Sequence, residues 1–472
     1  MKNRIENRIL VAIASYGTKN SGFLGRLLDE YRGMALPVDV VVNSNVPKDL
    51  GADVEVVVGL PSSDPRSLTF AHRTLFADRR DDYDVFVYSE EDTLVTARNI
   101  EAFLDATGLL PSEYVAGFMR YEVHPSGRRS YCTVHSHYHW DPASTFRAGS
   151  ACFASFTNLH AACFMLTRDQ LHRAISSSGF LVAPHSGRYG MLESGATDPY
   201  SQCGFTKVIR IDAIDDFLLH HLPNVYLGRM GIDETEFRAQ LEALVRIERG
   251  EAPSSRLFRT ETSLDVDHEG WNKCYYEPPL PSVLERVAAR SVCTIGCGAG
   301  TVESELLARG SEVVGIPVDE VIGAVASSRG IEVLPASFEE AFELLAGRTF
   351  DRVLLLNTLQ FLADPVALLR RAARLLNDRG RIVLYAPNHK FHALRAWRRA
   401  RAPMLTPDVP FERSNLQYTD ARVLRGWLRD AGLVVESLSY RVADKARGAS
   451  RATLGVLDAY LGDGIIVVGR LR

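Results

Sequence analysis

The feature that most constrains this chain is an alternation of short apolar runs with helical segments that starts twice. The first start is Arg8-Ile-Leu-Val-Ala-Ile-Ala14, a strand-sized run. A loop with Gly17, Asn20 and Gly22 follows, then a helical pattern from Phe23 to Arg32. Further apolar runs cover Val38 to Asn43, Val54 to Val58 and Tyr83 to Tyr88, with a helical segment from Ser67 to Arg80. Unbroken apolar strands spaced by helices predict a parallel sheet covered by helices. From Tyr121 to Ala151 the chain is rich in His, Tyr, Arg and Ser without a clean period, as in a substrate-facing insertion. Regular structure is expected again as a strand at Ala161–Leu166 and a helix at Arg168–Ser177.

The second start follows Arg246 to Trp271, a charged stretch holding Pro253-Ser254-Ser255. Beyond it a helix is expected at Pro281–Ala289. Strands are then expected at Val292–Ile295, Glu312–Ile316, Arg352–Leu356 and Arg381–Tyr385, with helices between them. With 472 residues, too many for one ordinary core, the chain reads as α/β with two doubly wound Rossmann-like domains. The expected boundaries are 1–260 and 279–472, with a linker at 261–278.

Composition narrows the classes. A net charge of -4 argues against a dedicated nucleic-acid binder. Seven cysteines without a pairing framework suit a reducing compartment. No run approaches the roughly 20 apolar residues of a membrane span, and Met1 to Arg8 lacks a signal-peptide pattern. The expectation is a cytoplasmic protein that touches a membrane peripherally at most and is compatible with homo-oligomers. The basic stretch Arg395–Arg401, with Trp397, reads as a solvated helix or as a contact for an anionic lipid-linked acceptor.

The first chemical constellation is Glu90-Glu91-Asp92, directly after the apolar strand Asp84–Tyr88. Ligands of open α/β sheets bind beyond the carboxyl ends of strands. Three adjacent carboxylates repel one another, and Mg or Mn, which favour hard oxygen ligands, would relieve that repulsion and hold a diphosphate. A solvated acidic turn is the alternative. His135, His137 and His139 alternate as strand residues do, which would put them on one face.

Tyr88-Ser-Glu-Glu-Asp-Thr-Leu-Val95 resembles the DXD-type motif of GT-A glycosyltransferases, and Val11-Ala-Ile-Ala-Ser-Tyr-Gly17 resembles the nucleotide-binding start of that fold. The resemblance covers roughly Arg8 to Val245. It implies a nucleotide-sugar donor held by Ala14, Ser15, Tyr16, Asn43, Glu90, Glu91 and Asp92. It also implies a cation on Glu90 and Asp92, completed by His220 or His221, and a glycan or glycolipid acceptor. Glu193, then Asp198, are the implied candidates for general base. Phe156–Thr167 resembles the acceptor-side strand of these enzymes.

The second constellation is Val292-Cys-Thr-Ile-Gly-Cys-Gly-Ala-Gly300, a glycine turn between a strand and a helix. With Phe350–Leu356 and Leu375–Asn388, it makes the stretch from about Pro279 to Tyr440 resemble a class I S-adenosylmethionine-dependent methyltransferase. The resemblance implies cofactor contacts from Gly296, Gly298, Gly300, Asp319 and Asn357. Several acids of that family are replaced. Thr294 stands before the turn, Pro317 closes the second strand with Asp319 two residues on, and Ser337 stands near the adenine position. Asn357, Gln360 and Phe361 replace two acids and a histidine. A charge-assisted hydrogen bond to the ribose is worth on the order of 1.5–3 kcal/mol. Without those acids, a degenerate domain retained for scaffolding, dimerisation or acceptor binding is expected, with an active methyltransferase of unusual cofactor contacts as the alternative.

The sequence reading is therefore a Mn- or Mg-dependent glycosyltransferase of polysaccharide or glycan assembly, with a methyltransferase-like domain behind it. Its rivals are a methyltransferase acting on a glycan presented by the first half, and a non-catalytic glycan-binding scaffold.

Overall fold

A computed structural model describes residues 7–264, 271–277, 280–398, 405–442, 446–453, 455 and 457–472. The chain divides into two compact units, Met1–Glu251 and Ala252–Arg472.

In the first unit the opening apolar run forms β1 (Ile9–Ser15), followed by α1 (Ser21–Arg32), β2 (Val38–Ser44), β3 (Val54–Val58) and β4 (Val85–Glu90). The main sheet runs Cys163–Thr167, β4, β1, β2, β3. β1 pairs in parallel with β2 and β4, and β2 with β3, while Cys163–Thr167 joins β4 antiparallel. Ile9 to Ile13 are fully buried, as are Phe86 and Val87, so the centre of the sheet is covered on both faces. The first unit is more than a doubly wound sheet, because two further sheets are built from strands that follow β4. One of them joins Thr93–Leu94, Leu218–His221, Met119–Val123, Arg129–Tyr131 and Ile232–Asp233. The strand expected through His135, His137 and His139 does not form. Ser136 has φ 56°, Tyr138 N–H donates to the His135 carbonyl at 3.2 Å, and the strand starts only at Trp140.

The second unit holds a seven-stranded sheet ordered 332–333, 312–317, 291–297, 350–356, 376–387, 462–471, 433–442. Only the strand Gly462–Leu471 runs against its two neighbours. Along Ser291–Cys297, Cys293 and Ile295 enter one apolar core and Val292 the opposite one, as a doubly wound sheet requires. The helix expected at Pro281–Ala289 is a single turn, Pro281–Leu284. The division after Glu251 falls ahead of the expected boundary at 260. Leu257 N–H donates to the Val318 carbonyl at 2.8 Å, and Phe258 packs in one core with Trp271, Tyr275, Ile322 and Phe361. Residues read as linker therefore belong to the second fold. Of the basic stretch Arg395–Arg401, residues 399–401 lie outside the described residues.

A buried ion pair anchors the helix Met191–Ser201 of the first unit. Arg73 Nη2 lies 2.5 Å from Asp198 Oδ2, with both side chains almost fully buried, and His185 Nε2 lies 2.9 Å from the same oxygen. Gly195 lets this helix approach closely, since a Cβ there would stand 2.6 Å from Thr69. Asp198, expected as a second candidate base, is committed to this anchor. Asp198→Ala should leave Arg73 buried without its partner and cost about 3–5 kcal/mol. Urea denaturation checks this, and a loss below about 1 kcal/mol would contradict the assignment.

Candidate functional site

Parallel pairing sets Ala14 at the end of β1 opposite Glu90 at the end of β4. The two strand ends open into a cavity of about 300 Å³. Ala14, Tyr16, Asn20, Glu90, Glu91 and Asp92 line it, with Arg66 and Leu192 at other parts of its wall. That volume is within the range of small-molecule sites, about 300–1,000 Å³. Asn43 sits beside Ala14 on β2, buried, and is not among the lining residues.

The three adjacent acids do different things. Glu91 turns inward, where its carboxylate accepts from the Ser15 hydroxyl and, at 3.1 Å, from Asn20 Nδ2. It ties the loop after β1 to the end of β4, and burial pushes its carboxyl up against those two donors. Glu90 keeps its Oε1 buried without a hydrogen-bond partner among the described residues. Its carboxyl is pushed up to about 7, by burial first and by the charge of Asp92 next, with Arg120 opposing. Asp92 is half-buried, and its Oδ2 lies 3.7 Å from His221 Nε2. The pair that can share a cation is therefore Glu90 and Asp92, with Glu91 as the brace behind them.

Strand alternation separates the two histidines. His221 is buried and meets Asp92 with Nε2 and Glu122 with Nδ1, the latter at 2.7 Å. His220 stacks on Tyr121 at 5.1 Å, with Nε2 3.4 Å from Asn224 Oδ1. Of the two, His221 is the one the fold brings to the acids. Glu122, Cys132 and His221 also converge closely enough to hold a metal. In that trio, however, Glu122 already accepts from His221 and from Tyr226 N–H at 2.9 Å, and burial pushes the Cys132 thiol up to about 12. Glu122 and His221 form a hydrogen-bonded support behind Asp92, with Cys132 beside them. At the cavity Glu90 and Asp92 offer the hard oxygens that a divalent cation prefers, one of them a buried carboxylate oxygen lacking a partner among the described residues, and the His221 imidazole, not itself among the lining residues, stands 3.7 Å from Asp92.

Glu193 stands in the first turn of the helix Met191–Ser201, and its charge helps push Glu90 up. Sequence reasoning missed Glu122, Arg120 and His160. His160 is held well below its ordinary pKa by burial and by the charges of Arg120 and Lys207, and its Nδ1 is buried without a hydrogen-bond partner among the described residues. Arg120 and Glu122 both lie on the strand Met119–Val123, which pairs with Leu218–His221. That pairing spans about a hundred residues of sequence, and no local pattern announces it.

In the second unit the glycine turn has the backbone the motif predicts, with φ 72° at Gly296 and 79° at Gly300. It is covered by the unit's own chain. A Cβ on Gly298 would collide with the Tyr275 carbonyl, and Tyr275 O accepts from Ala299 N–H at 2.7 Å. A Cβ on Gly296 would stand 2.8 Å from Thr358 Oγ1 and 3.2 Å from the Phe258 ring. Lys273, fully buried, donates to the Leu356 carbonyl at 2.8 Å. Asp319 caps a helix by accepting from Ile322 N–H at 2.9 Å and faces Arg256 Nε at 3.5 Å. Asn357, at φ 51°, accepts from Gln360 Nε2. The space left at the turn is about 10 Å³, room for about one water.

The methyltransferase domain family matches residues 271–438, inside the second unit. That match and the seven-stranded sheet define the second unit as a methyltransferase domain of the S-adenosylmethionine-dependent class. Among individual proteins, the chain is similar to the ubiquinone biosynthesis O-methyltransferase of Xanthomonas oryzae pv. oryzae, 28% identical over 185 residues, 36% of this chain and 76% of that protein. The enzyme of the same name from Pseudomonas aeruginosa is 31% identical over 108 residues, 22% of this chain and 46% of that protein. A solved magnesium protoporphyrin IX methyltransferase from Synechocystis aligns at 18% identity with a TM-score of 0.29, over 41% of this chain and 81% of that one. The GT-A resemblance of the first unit receives no support from these matches.

Two measurements follow from this geometry. Glu90 is raised above its ordinary value of 4.5, so its contribution to stability is full below about pH 4.5 and lost as pH rises through about 7. A cation can take the proton's place, so added Mg²⁺ should raise the melting temperature more at pH 8 than at pH 5.5. A difference that persists unchanged in Glu90→Gln would rule Glu90 out. In the second unit, a cover that competes with a cofactor reduces apparent affinity by the fraction of open molecules. Phe258→Ala should therefore tighten S-adenosylmethionine binding by about threefold or more in calorimetry, and unchanged affinity would show that Phe258 does not compete.

Proposed function

We propose that the chain joins two group-transfer units: a first unit that transfers a sugar from a nucleoside diphosphate donor, and the methyltransferase domain behind it. The observation that carries the first half is the open cavity at the carboxyl ends of β1 and β4, lined by Glu90 and Asp92, with His221 3.7 Å from Asp92. In this reading Tyr16 and Asn20 face the donor and Glu91 holds their loop in place. Glu90, Asp92 and His221 hold the cation. When bound, the cation supplies the positive charge that stabilises a leaving diphosphate. Glu193 accepts the proton of the acceptor hydroxyl. A glycan or glycolipid acceptor and a cytoplasmic setting belong to the same proposal.

A second reading rests on the family match and on the O-methyltransferase relatives: methyl transfer by the second unit to an acceptor that the first unit binds. It requires the cover of Arg256–Phe258 and Lys273–Tyr275 to leave the glycine turn. A non-catalytic scaffold is the third reading.

Thermal-shift screening of UDP-, GDP- and dTDP-sugars, with and without Mn²⁺, separates these. A donor-specific shift that needs Mn²⁺ and disappears in Asp92→Asn is expected. Equal shifts in wild type and variant, or no shift with any donor, would remove the sugar-transfer reading.

A further inference from the structure

We propose that Glu122 is a positioning residue that fixes His221 with its Nε2 lone pair toward Asp92, and so completes the cation seat; this rests on the metal reading of the first unit. Glu122 is fully buried, and its two oxygens face two donors. Oε1 lies 2.7 Å from His221 Nδ1, and Oε2 accepts from the backbone N–H of Tyr226 at 2.9 Å. A carboxylate is an acceptor at both oxygens, so this arrangement keeps the ring proton of His221 on Nδ1. Nε2 faces Asp92 Oδ2 across 3.7 Å.

The ring is stacked on Tyr226 at 5.3 Å and 22°. The backbone continues the constraint, because Leu222 N–H donates to the Asp92 carbonyl at 2.9 Å and His221 pairs with Thr93. Two ligands each about 2.1 Å from one ion stand roughly 3–4 Å apart, so the 3.7 Å gap suits a divalent cation. A carboxylate behind a ligating imidazole fixes its tautomer and raises its basicity. Glu122 contributes this without touching the cation or the substrate.

Glutamine at this position offers only one acceptor to the two donors, so Glu122→Gln frees either the ring or the Tyr226 backbone. The test uses the full chain, with Mn²⁺ binding followed by electron paramagnetic resonance in wild type, Glu122→Gln, Glu122→Asp, His221→Ala and Cys132→Ala. It adds ¹⁵N-histidine NMR of the wild type with and without Mg²⁺. Expected are Mn²⁺ affinity about 10- to 100-fold weaker in Glu122→Gln, partial recovery in Glu122→Asp, affinity near wild type in Cys132→Ala, and an Nδ1–H signal for His221. Affinity within twofold of wild type in Glu122→Gln, beside a clear loss in His221→Ala, would overturn the role of Glu122 and leave the cation site standing. An equal loss in Cys132→Ala, or a His221 ring still doubly protonated in saturating Mg²⁺, would also overturn it. Absence of Mn²⁺ binding in wild type would remove the underlying metal reading itself. Where Glu122→Gln fails to fold, the NMR tautomer and Glu122→Asp decide.

Discussion

The parallel pairing of β1 with β4 is the constraint on which the first unit's chemistry depends. It places Ala14 opposite Glu90, so the end of one buried strand and the acids closing the other share a single rim. A row of carboxylates at such a place is electrostatically costly. The fold offsets the cost unevenly, giving Glu91 two donors, leaving one oxygen of Glu90 without any among the described residues, and aiming Asp92 at an imidazole. The unevenness turns three similar residues into one brace and two carboxylates open to the cavity.

Much of the sheet was legible because buried parallel strands are written as unbroken apolar runs, and Ile9–Ala14 and Val85–Tyr88 are both of that kind. The acids were legible because they follow such a run without a gap. The histidine pair was legible only as a pair, and strand alternation puts His221, not His220, beside Asp92. Glu122 was not legible, since its value comes from pairing Met119–Val123 with Leu218–His221. Asp198 misled because a carboxylate after a helix start looks the same in sequence whether it faces solvent or a buried arginine. The histidines at 135, 137 and 139 misled through their spacing, which a left-handed residue at Ser136 interrupts.

The second unit poses the opposite problem. Its motif, sheet order and family match agree, yet the small residues that would let a cofactor approach are used by the unit's own backbone. Positive φ at Gly296 and Gly300 builds the turn in either case. Tyr275, Phe258 and the buried Lys273 pack close around that turn. Asp319, the acid two residues beyond the second strand, serves as a helix cap and faces Arg256.

The place of Phe258 also dictates how the two units can be separated in the laboratory. A fragment begun at the apparent linker end, near residue 279, would discard Phe258, Trp271 and Tyr275 and bare the apolar faces of Ile322, Val325 and Phe361 to water. Such a fragment would carry a sticky patch of its own making. Cutting between Glu251 and Ala252 keeps that surface lined and hands each half its own complete interior.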